Sequence, residues 1–348
     1  MRPPITIAGV TIQPGTRQSI ELPIPSFYTH TSASMPLHVV HGRKPGPCML
    51  ICAAIHGDEI NGVEIIRRIL ANKTVNNIKG TIIAIPIVNV FGFVSQSRYL
   101  PDRRDLNRSF PGSKNGSMAS RLANILMTEI ISQCTHVIDL HTGAVARNNL
   151  PQIRAFLEDE PETEAMARAF GVPVIINSDV RDGSLREAAR KQNIPVILYE
   201  AGEALRFDEV AIRAGVRGIL EVMSFLGMRQ KSRKKKENST RISRSTHWVR
   251  APESGILRSI IPLGTLVQKD DILAYISDPL GEIETKVLSS TSGIIIGKTN
   301  LPLAHEGEGI FHIAKYSEAE EVSNHIEIYH DELDPLTDEI RSEEIPLV

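Results

Sequence analysis

The sequence predicts an α/β body, with a mixed, largely parallel sheet and flanking helices, followed by a small all-β domain. Apolar runs of strand length at 48–55, 81–88, 136–140 and 195–199 alternate with stretches of helical spacing, the pattern of strands joined by crossover helices. Those runs are apolar almost throughout, as strands covered on both faces are. After residue 245 the helical period disappears, and short β-rich runs alternate with turn residues.

The chain begins with a β segment over 1–46. Short strands are expected at 5–12, 19–24 and 35–40, separated by Pro14-Gly15 and closed by Gly42 and Pro45-Gly46. The run Cys48 to Ile55 then stops at His56-Gly57-Asp58-Glu59, and Ile60, Val63, Ile66, Ile69 and Leu70 recur at helical spacing. This reads as a buried strand, a tight turn and an amphipathic helix. A second apolar strand covers 81–88, with Pro86 interrupting its pairing. The polar stretch 95–116 carries Arg98, Arg103, Arg104, Asp105, Asn107 and Arg108, and a loop of that length with that charge is expected to be functional. Helices are expected over 117–132, 160–170, 185–192 and 210–226, with strands at 136–140, 172–176 and 195–199.

The domain division follows from these textures. Residues 1–227 form the main body, and 228–244, rich in Lys and Arg without apolar periodicity, form a solvated basic linker. Residues 245–316 form the β domain, and 317–348 an acidic tail expected to be exposed and partly disordered.

Composition narrows the classes. With 348 residues, 41% hydrophobic and 23% charged, the chain has ample material for a core, and a formal net charge of -2 gives no reason to expect nucleic acid or an anionic membrane as partner. No continuous apolar stretch marks a signal peptide or a membrane span. Cys48, Cys52 and Cys134 lack CxxC spacing and read as core residues of a protein in a reducing cytoplasm.

Three apolar strands end in a residue able to bind metal or move a proton: His56, His141 and Glu200. If those strands are parallel, all three side chains meet on one rim, where open α/β sheets bind ligands. His56-x-x-Glu59 with His141 makes two imidazoles and one carboxylate, a zinc set that leaves a position for water or substrate. Taken singly, each has a plain alternative: a core histidine, an acid at a positive helix end, an ion-pair partner. Asp58 and Asp139 read as supporting or turn residues rather than ligands.

His56-Gly57-Asp58-Glu59, Asp105-Leu106-Asn107-Arg108, Asp139-Leu140-His141-Thr142-Gly143 and Glu200-Ala201-Gly202 together resemble the succinylglutamate desuccinylase/aspartoacylase family over roughly residues 45–226. The resemblance implies a zinc-carboxypeptidase-like fold and a deacylase acting on a small N-acyl amino acid. It also implies one zinc ion per chain on His56, Glu59 and His141, and Glu200 as general base and acid, with Glu203 a rival. Asp105 would orient a ligand histidine, and Asn107 with Arg108 would hold a substrate carboxylate. Arg98 would face the scissile carbonyl, although Arg103 or Arg104 could fill that place.

The β domain resembles a biotinyl/lipoyl-like barrel-sandwich module through Ala251 to Leu257, Gly264 to Leu273 and Ser289 to Ile294. The tip expected to carry a modified lysine, near 278–282, has none, and Lys286 lies too close to Gly293. The module therefore reads as unmodified, packing beside the active site or mediating assembly into a homo-oligomer. The readings set against a deacylase are a zinc carboxypeptidase acting on peptides, and a non-catalytic binding or carrier protein that uses the β module.

Overall fold

The computed structural model describes residues 2–230 and 240–334. The N-terminal segment forms β1 (Ile5–Ile7) and β2 (Val10–Ile12), a separate hairpin, then β3 (Thr16–Ile24) and β4 (Ala33–His41). The body continues as β5 (Lys44–Ala53), α1 (Asn61–Ala71), β6 (Lys79–Ile85), α2 (Val90–Val94), α3 (Met118–Ile125), β7 (His136–Gly143) and β8 (Arg147–Ala155). It is completed by α4 (Pro161–Phe170), β9 (Val174–Asn177), α5 (Leu185–Arg190), β10 (Val196–Glu203) and α6 (Glu209–Phe225). The C-terminal part holds β11 (Arg241–Ser243), β12 (Thr246–Arg250), β13 (Gly255–Ser259), β14 (Leu266–Val267), β15 (Ile272–Ser277), β16 (Glu284–Leu288), β17 (Gly293–Thr299), β18 (Leu303–Ala304), β19 (Gly309–Ala314) and α7 (Ala319–Leu333).

One sheet runs through most of these strands in the order β12-β19-β17-β8-β10-β7-β5-β6-β4-β3. Its centre, β6, β5, β7 and β10, is parallel, so their carboxyl ends share a rim as the alternation of strands and helices predicts. Along β5, Cys48, Leu50 and Cys52 join the core beneath α3 and α5, while Met49, Ile51 and Ala53 join the core beneath α1, α4 and α6. Two-sided burial explains why the run is apolar at every position. All three cysteines are buried and free.

α1 and α6 are also joined by charge. Arg68 donates to both oxygens of Glu209 at 2.6 and 2.8 Å and to Glu64 at 2.7 Å. Hydrogen bonds from the arginines hold both carboxyls below their ordinary range. Between α4 and α6, Gly218 leaves room for Phe170, which stacks on Tyr199 at 5.0 Å.

Three expectations change. β8 is central, pairing with β10, β17 and β9, yet Pro151 and its mixed polarity conceal it in the sequence. The stretch expected as an acidic, partly disordered tail contains α7, which buries Val322, Ile326, Tyr329 and Leu333 at helical spacing among its acids. Residues 335–348 lie outside the described residues. The basic linker of 228–244 is ordered at both ends: Met228 is buried, and β11 pairs with β9. Its middle, 231–239, lies outside the described residues.

The β-rich C-terminal part divides between two sheets. β13, β15, β16 and β18 form a small sheet of their own, while β12, β14, β17 and β19 extend the large one. Lys286 lies within β16, registered on Tyr275, and not at a hairpin tip. Among the described residues no helix is long and apolar enough to cross a membrane.

Gly218→Ala should lower unfolding stability by about 1–3 kcal/mol, because its Cβ would stand 2.1 Å from the Phe170 ring; denaturant titration measures this. Arg68→Leu should lower the melting temperature at neutral pH. Because Glu64 and Glu209 have lowered folded pKa values, their contribution is present above the ordinary carboxylate range and lost as pH falls through the folded values. The gap between variant and wild type should therefore narrow in melts run at progressively more acidic pH.

Candidate active site

The site begins where β5 ends. Ala54 adopts φ 51, and the chain turns through His56 and Gly57 into α1. Gly57 is needed here because a Cβ would stand 2.0 Å from the Gly92 backbone. The Glu59 amide donates to the His56 carbonyl at 3.1 Å, closing a turn that brings the two side chains together. His141 arrives from β7, the neighbouring parallel strand.

Glu59 lies between the two rings. Its Oε1 is 2.7 Å from His56 Nδ1 and its Oε2 is 2.7 Å from His141 Nδ1, with the Thr142 amide donating to Oε2 at 3.2 Å. The ring centroids are 4.9 Å apart. On the outer side of each ring is another acid: Asp105 Oδ1 at 3.2 Å from His56 Nε2, and Asp139 Oδ2 at 2.9 Å from His141 Nε2. A carboxylate only accepts, so both nitrogens of each ring face acceptors here; with a cation at the centre each Nε2 would keep donating to its outer acid and the Nδ1 lone pair would be the one turned inward. This is the arrangement of metal-binding histidines oriented by outer carboxylates.

The electrostatics favour positive charge at the centre. Burial would raise the Glu59 carboxyl, but the two imidazoles hold it far below the usual carboxylate range. Burial would lower both histidines, yet Glu59 with Asp105 raises His56, and Asp139 with Glu59 raises His141. One ligand atom from each of His56, Glu59 and His141 lies within 4.8 Å of the other two, and all three residues are buried. Two imidazole nitrogens and a carboxylate oxygen suit a divalent cation of the zinc type.

The structure brings Arg98, not Arg103 or Arg104, to this cluster. Arg98 donates to Asp105 Oδ2 at 3.0 Å and stands 3.3 Å from Glu59 Oε1, while Arg103 and Arg104 are exposed. Asp105 also accepts from the Asn107 amide at 2.8 Å. Burial would raise its carboxyl, but His56 and Arg98 hold it well below the ordinary range. Asn107 uses its side-chain oxygen to accept from the Leu185 amide at 2.9 Å, tying the long loop to the start of α5. Arg108 is exposed beside it, and partial burial lowers its guanidinium pKa.

Glu200 is registered directly on His141 across β10 and β7, so the two side chains leave the same face of the sheet. Asn149 Nδ2 donates to Glu200 Oε1 at 2.7 Å, and Arg154 Nε stands 2.5 Å from Oε2 as an ion pair whose N–H is not aimed for a hydrogen bond. Glu203 instead ties loops together, accepting from the Ala146 amide at 3.0 Å and Asn300 Nδ2 at 2.7 Å.

Asn149, Arg154 and Arg186 were not legible as site residues in the sequence. The first two lie on the concealed strand β8. Arg186, in α5, is anchored by Ser178 Oγ at 3.0 Å and the Asp179 carbonyl at 3.4 Å. Burial and the Arg154 cation lower its guanidinium to about 10, against the opposing pull of Asp139 and Glu200.

Comparisons with known proteins identify the family and similar folds. The model of the succinylglutamate desuccinylase/aspartoacylase catalytic domain matches residues 45–226. The N-alpha-acetyl-L-2,4-diaminobutyric acid deacetylase of Halomonas elongata is 23% identical over 269 residues, which cover 74% of this chain and 79% of that protein. Among solved structures, the product-bound ectoine utilization protein EutE (DoeB) of Ruegeria pomeroyi is similar with a TM-score of 0.78 and 22% identity, covering 86% of this chain and 95% of that one. A succinylglutamate desuccinylase/aspartoacylase from Rhodobacter sphaeroides is similar with a TM-score of 0.77 and 23% identity, at the same coverage.

Competition with a chromogenic chelator should show one tight zinc site per chain, and His141→Ala should abolish it. Asp139→Asn, which keeps the ring's neighbour but removes its charge, should weaken zinc binding by about 10- to 100-fold.

Proposed function

We propose that this chain, which belongs to the succinylglutamate desuccinylase/aspartoacylase family, is a zinc-dependent amidohydrolase that releases the acyl group from a small N-acylated amino acid or related amine. The observation that carries this reading is the convergence of His56, Glu59 and His141, with Glu200 in register beside them. The Halomonas elongata relative, named as a deacetylase of an N-acetylated amino acid, supports the same class of reaction.

His56, Glu59 and His141 would hold one zinc ion, which when bound supplies Lewis acidity, polarising the acyl carbonyl and bringing the pKa of water toward neutrality. Glu200 takes a proton from water as its oxygen adds to the carbonyl carbon. It then returns that proton to nitrogen as the carbon–nitrogen bond breaks. Asn149 and Arg154 hold the Glu200 carboxylate in place for both transfers. Arg98 donates to the carbonyl oxygen as negative charge grows there. Arg108, Asn107 and Arg186 present donors to a substrate carboxylate, and Arg108 and Arg186 bring the charge that pairs with it.

Hydrolysis of a panel of N-acyl amino acids set against C-terminal peptide substrates tests the reading and separates a deacylase from a carboxypeptidase. Glu200→Ala should retain its zinc and lose about 10²- to 10⁴-fold in turnover. Chelation should remove activity, and added zinc should restore it. Exclusive cleavage of peptides, or full activity in Glu200→Ala, would overturn the assignment.

A further inference from the structure

The opposite end of the parallel sheet carries a second concave site. A cavity of about 540 Å³ opens there, lined by Arg43 and Lys44 where β5 begins, Lys79 where β6 begins, Asn76 and Asn77 from the short helical turn before β6, and Arg229 beyond α6. β5 runs ten residues from Lys44 to Ala53 before the turn to His56. At about 3.3 Å per residue, the cavity lies about 30 Å from the candidate active site.

The charge of this cavity is one-sided. The chain holds 39 basic and 41 acidic residues, yet four cations and no acid line it. Among the described residues none of the four pairs with a carboxylate; Arg229 donates to the Leu220 carbonyl at 3.3 Å. Arg43, Lys44 and Lys79 are exposed, so an incoming ion can reach them. A concave surface lined by one sign of charge concentrates ions of the other.

Three contacts distinguish this arrangement from scattered surface charge. Lys44 and Lys79 are registered on each other across β5 and β6, so two ammonium groups rise from neighbouring strands about 4.8 Å apart. Like charges set opposite one another lower stability, and an anion between them removes that cost. Arg43 passes close over Gly15 in the turn between β2 and β3, where a Cβ would stand 2.5 Å from Arg43 Nε. Arg17 donates to Asn76 Oδ1 at 2.6 Å, which leaves the Asn76 amide nitrogen to donate elsewhere.

We propose that this cavity binds a small molecule carrying two phosphate groups, at a site separate from the catalytic centre and independent of the deacylase reading. The charge count selects the ligand. A phosphate monoester carries about 1.5 to 2 negative charges at neutral pH, so two of them balance Arg43, Lys44, Lys79 and Arg229, whereas carboxylates would have to number four. The arginine forks match phosphate oxygens in pairs, and the lysines act as point charges beside them. The concave shape and limited volume suit a small molecule rather than an extended polyanion.

Isothermal titration calorimetry of the zinc-loaded full chain with fructose 1,6-bisphosphate, fructose 6-phosphate and fructose tests the site. The bisphosphate should bind once per chain, about tenfold or more tighter than the monophosphate, and fructose should not bind. Arg43→Gln and Lys79→Gln should each weaken the bisphosphate by about tenfold, the worth of one charge-assisted hydrogen bond. His141→Ala should bind it as tightly as wild type, which separates this site from the metal cluster. Without ligand, Lys79→Gln should melt at a higher temperature than wild type, since the opposed charge is gone; Lys44→Gln serves if that variant fails to fold. Absence of saturable binding, or equal affinity in wild type and the cavity variants, sinks the proposal. So does binding that is lost only when Arg233, Lys234, Lys235 and Lys236, outside the described residues, are changed to Gln. Tighter binding of a short single-stranded DNA, abolished by the cavity variants, would make this a nucleic-acid surface and overturn the small-molecule assignment.

Discussion

A carboxylate shielded from water must be paired to stay charged, and Glu59 meets that condition by lying between two imidazoles. Much of the surrounding chain serves this one contact. The turn after β5 supplies His56 and Glu59 together, β7 supplies His141, and Asp105 and Asp139 hold the outer nitrogens of the rings. Removing either acid would free a ring to rotate and would leave part of the cluster's charge unopposed. The acids and cations therefore form one interlocked set rather than independent pairs.

The sheet provides the register that this set needs. Parallel pairing of β5 with β7 and of β7 with β10 aligns strand ends that are far apart along the chain, and places His141 beside Glu200. A bulge where β8 pairs with β10, between Glu200 and Gly202, leaves Asn149 and Arg154 both turned toward the same carboxylate. Such irregularities commonly redirect side chains beside functional sites. A proline in a central strand is consistent with that role, since an interruption of pairing is what the bulge requires.

The β-rich C-terminal part is joined to this arrangement and does not stand apart from it. β17 pairs with β8 at Gly297 and Asn149, and a Cβ at Gly297 would stand 2.6 Å from Asn149 Oδ1. The residue that donates to Glu200 is thus confined by a strand from the far end of the chain. α7 packs on these strands as well, placing Val322 and Ile326 against Leu150, Ile294 and Ile296. Burial of that apolar stripe stabilises the union of the two parts.

What could be known from the sequence was what depends on local order. Apolar runs ending at His56, His141 and Glu200 marked strands covered on both sides, and the spacing of His56 and Glu59 marked a turn. Four ordered motifs then identified the family, and the polar loop carried Arg98 and Asp105. Tertiary structure decided what depends on pairing between distant segments: that β8 is a central strand despite Pro151, that Asn149 and Arg154 hold Glu200, and that Arg186 reaches the site. It also made a helix of an acidic stretch whose apolar residues are evident as a stripe only when something covers them. Short-range pattern reports which residues want burial, whereas register and long-range contact determine which neighbours they meet.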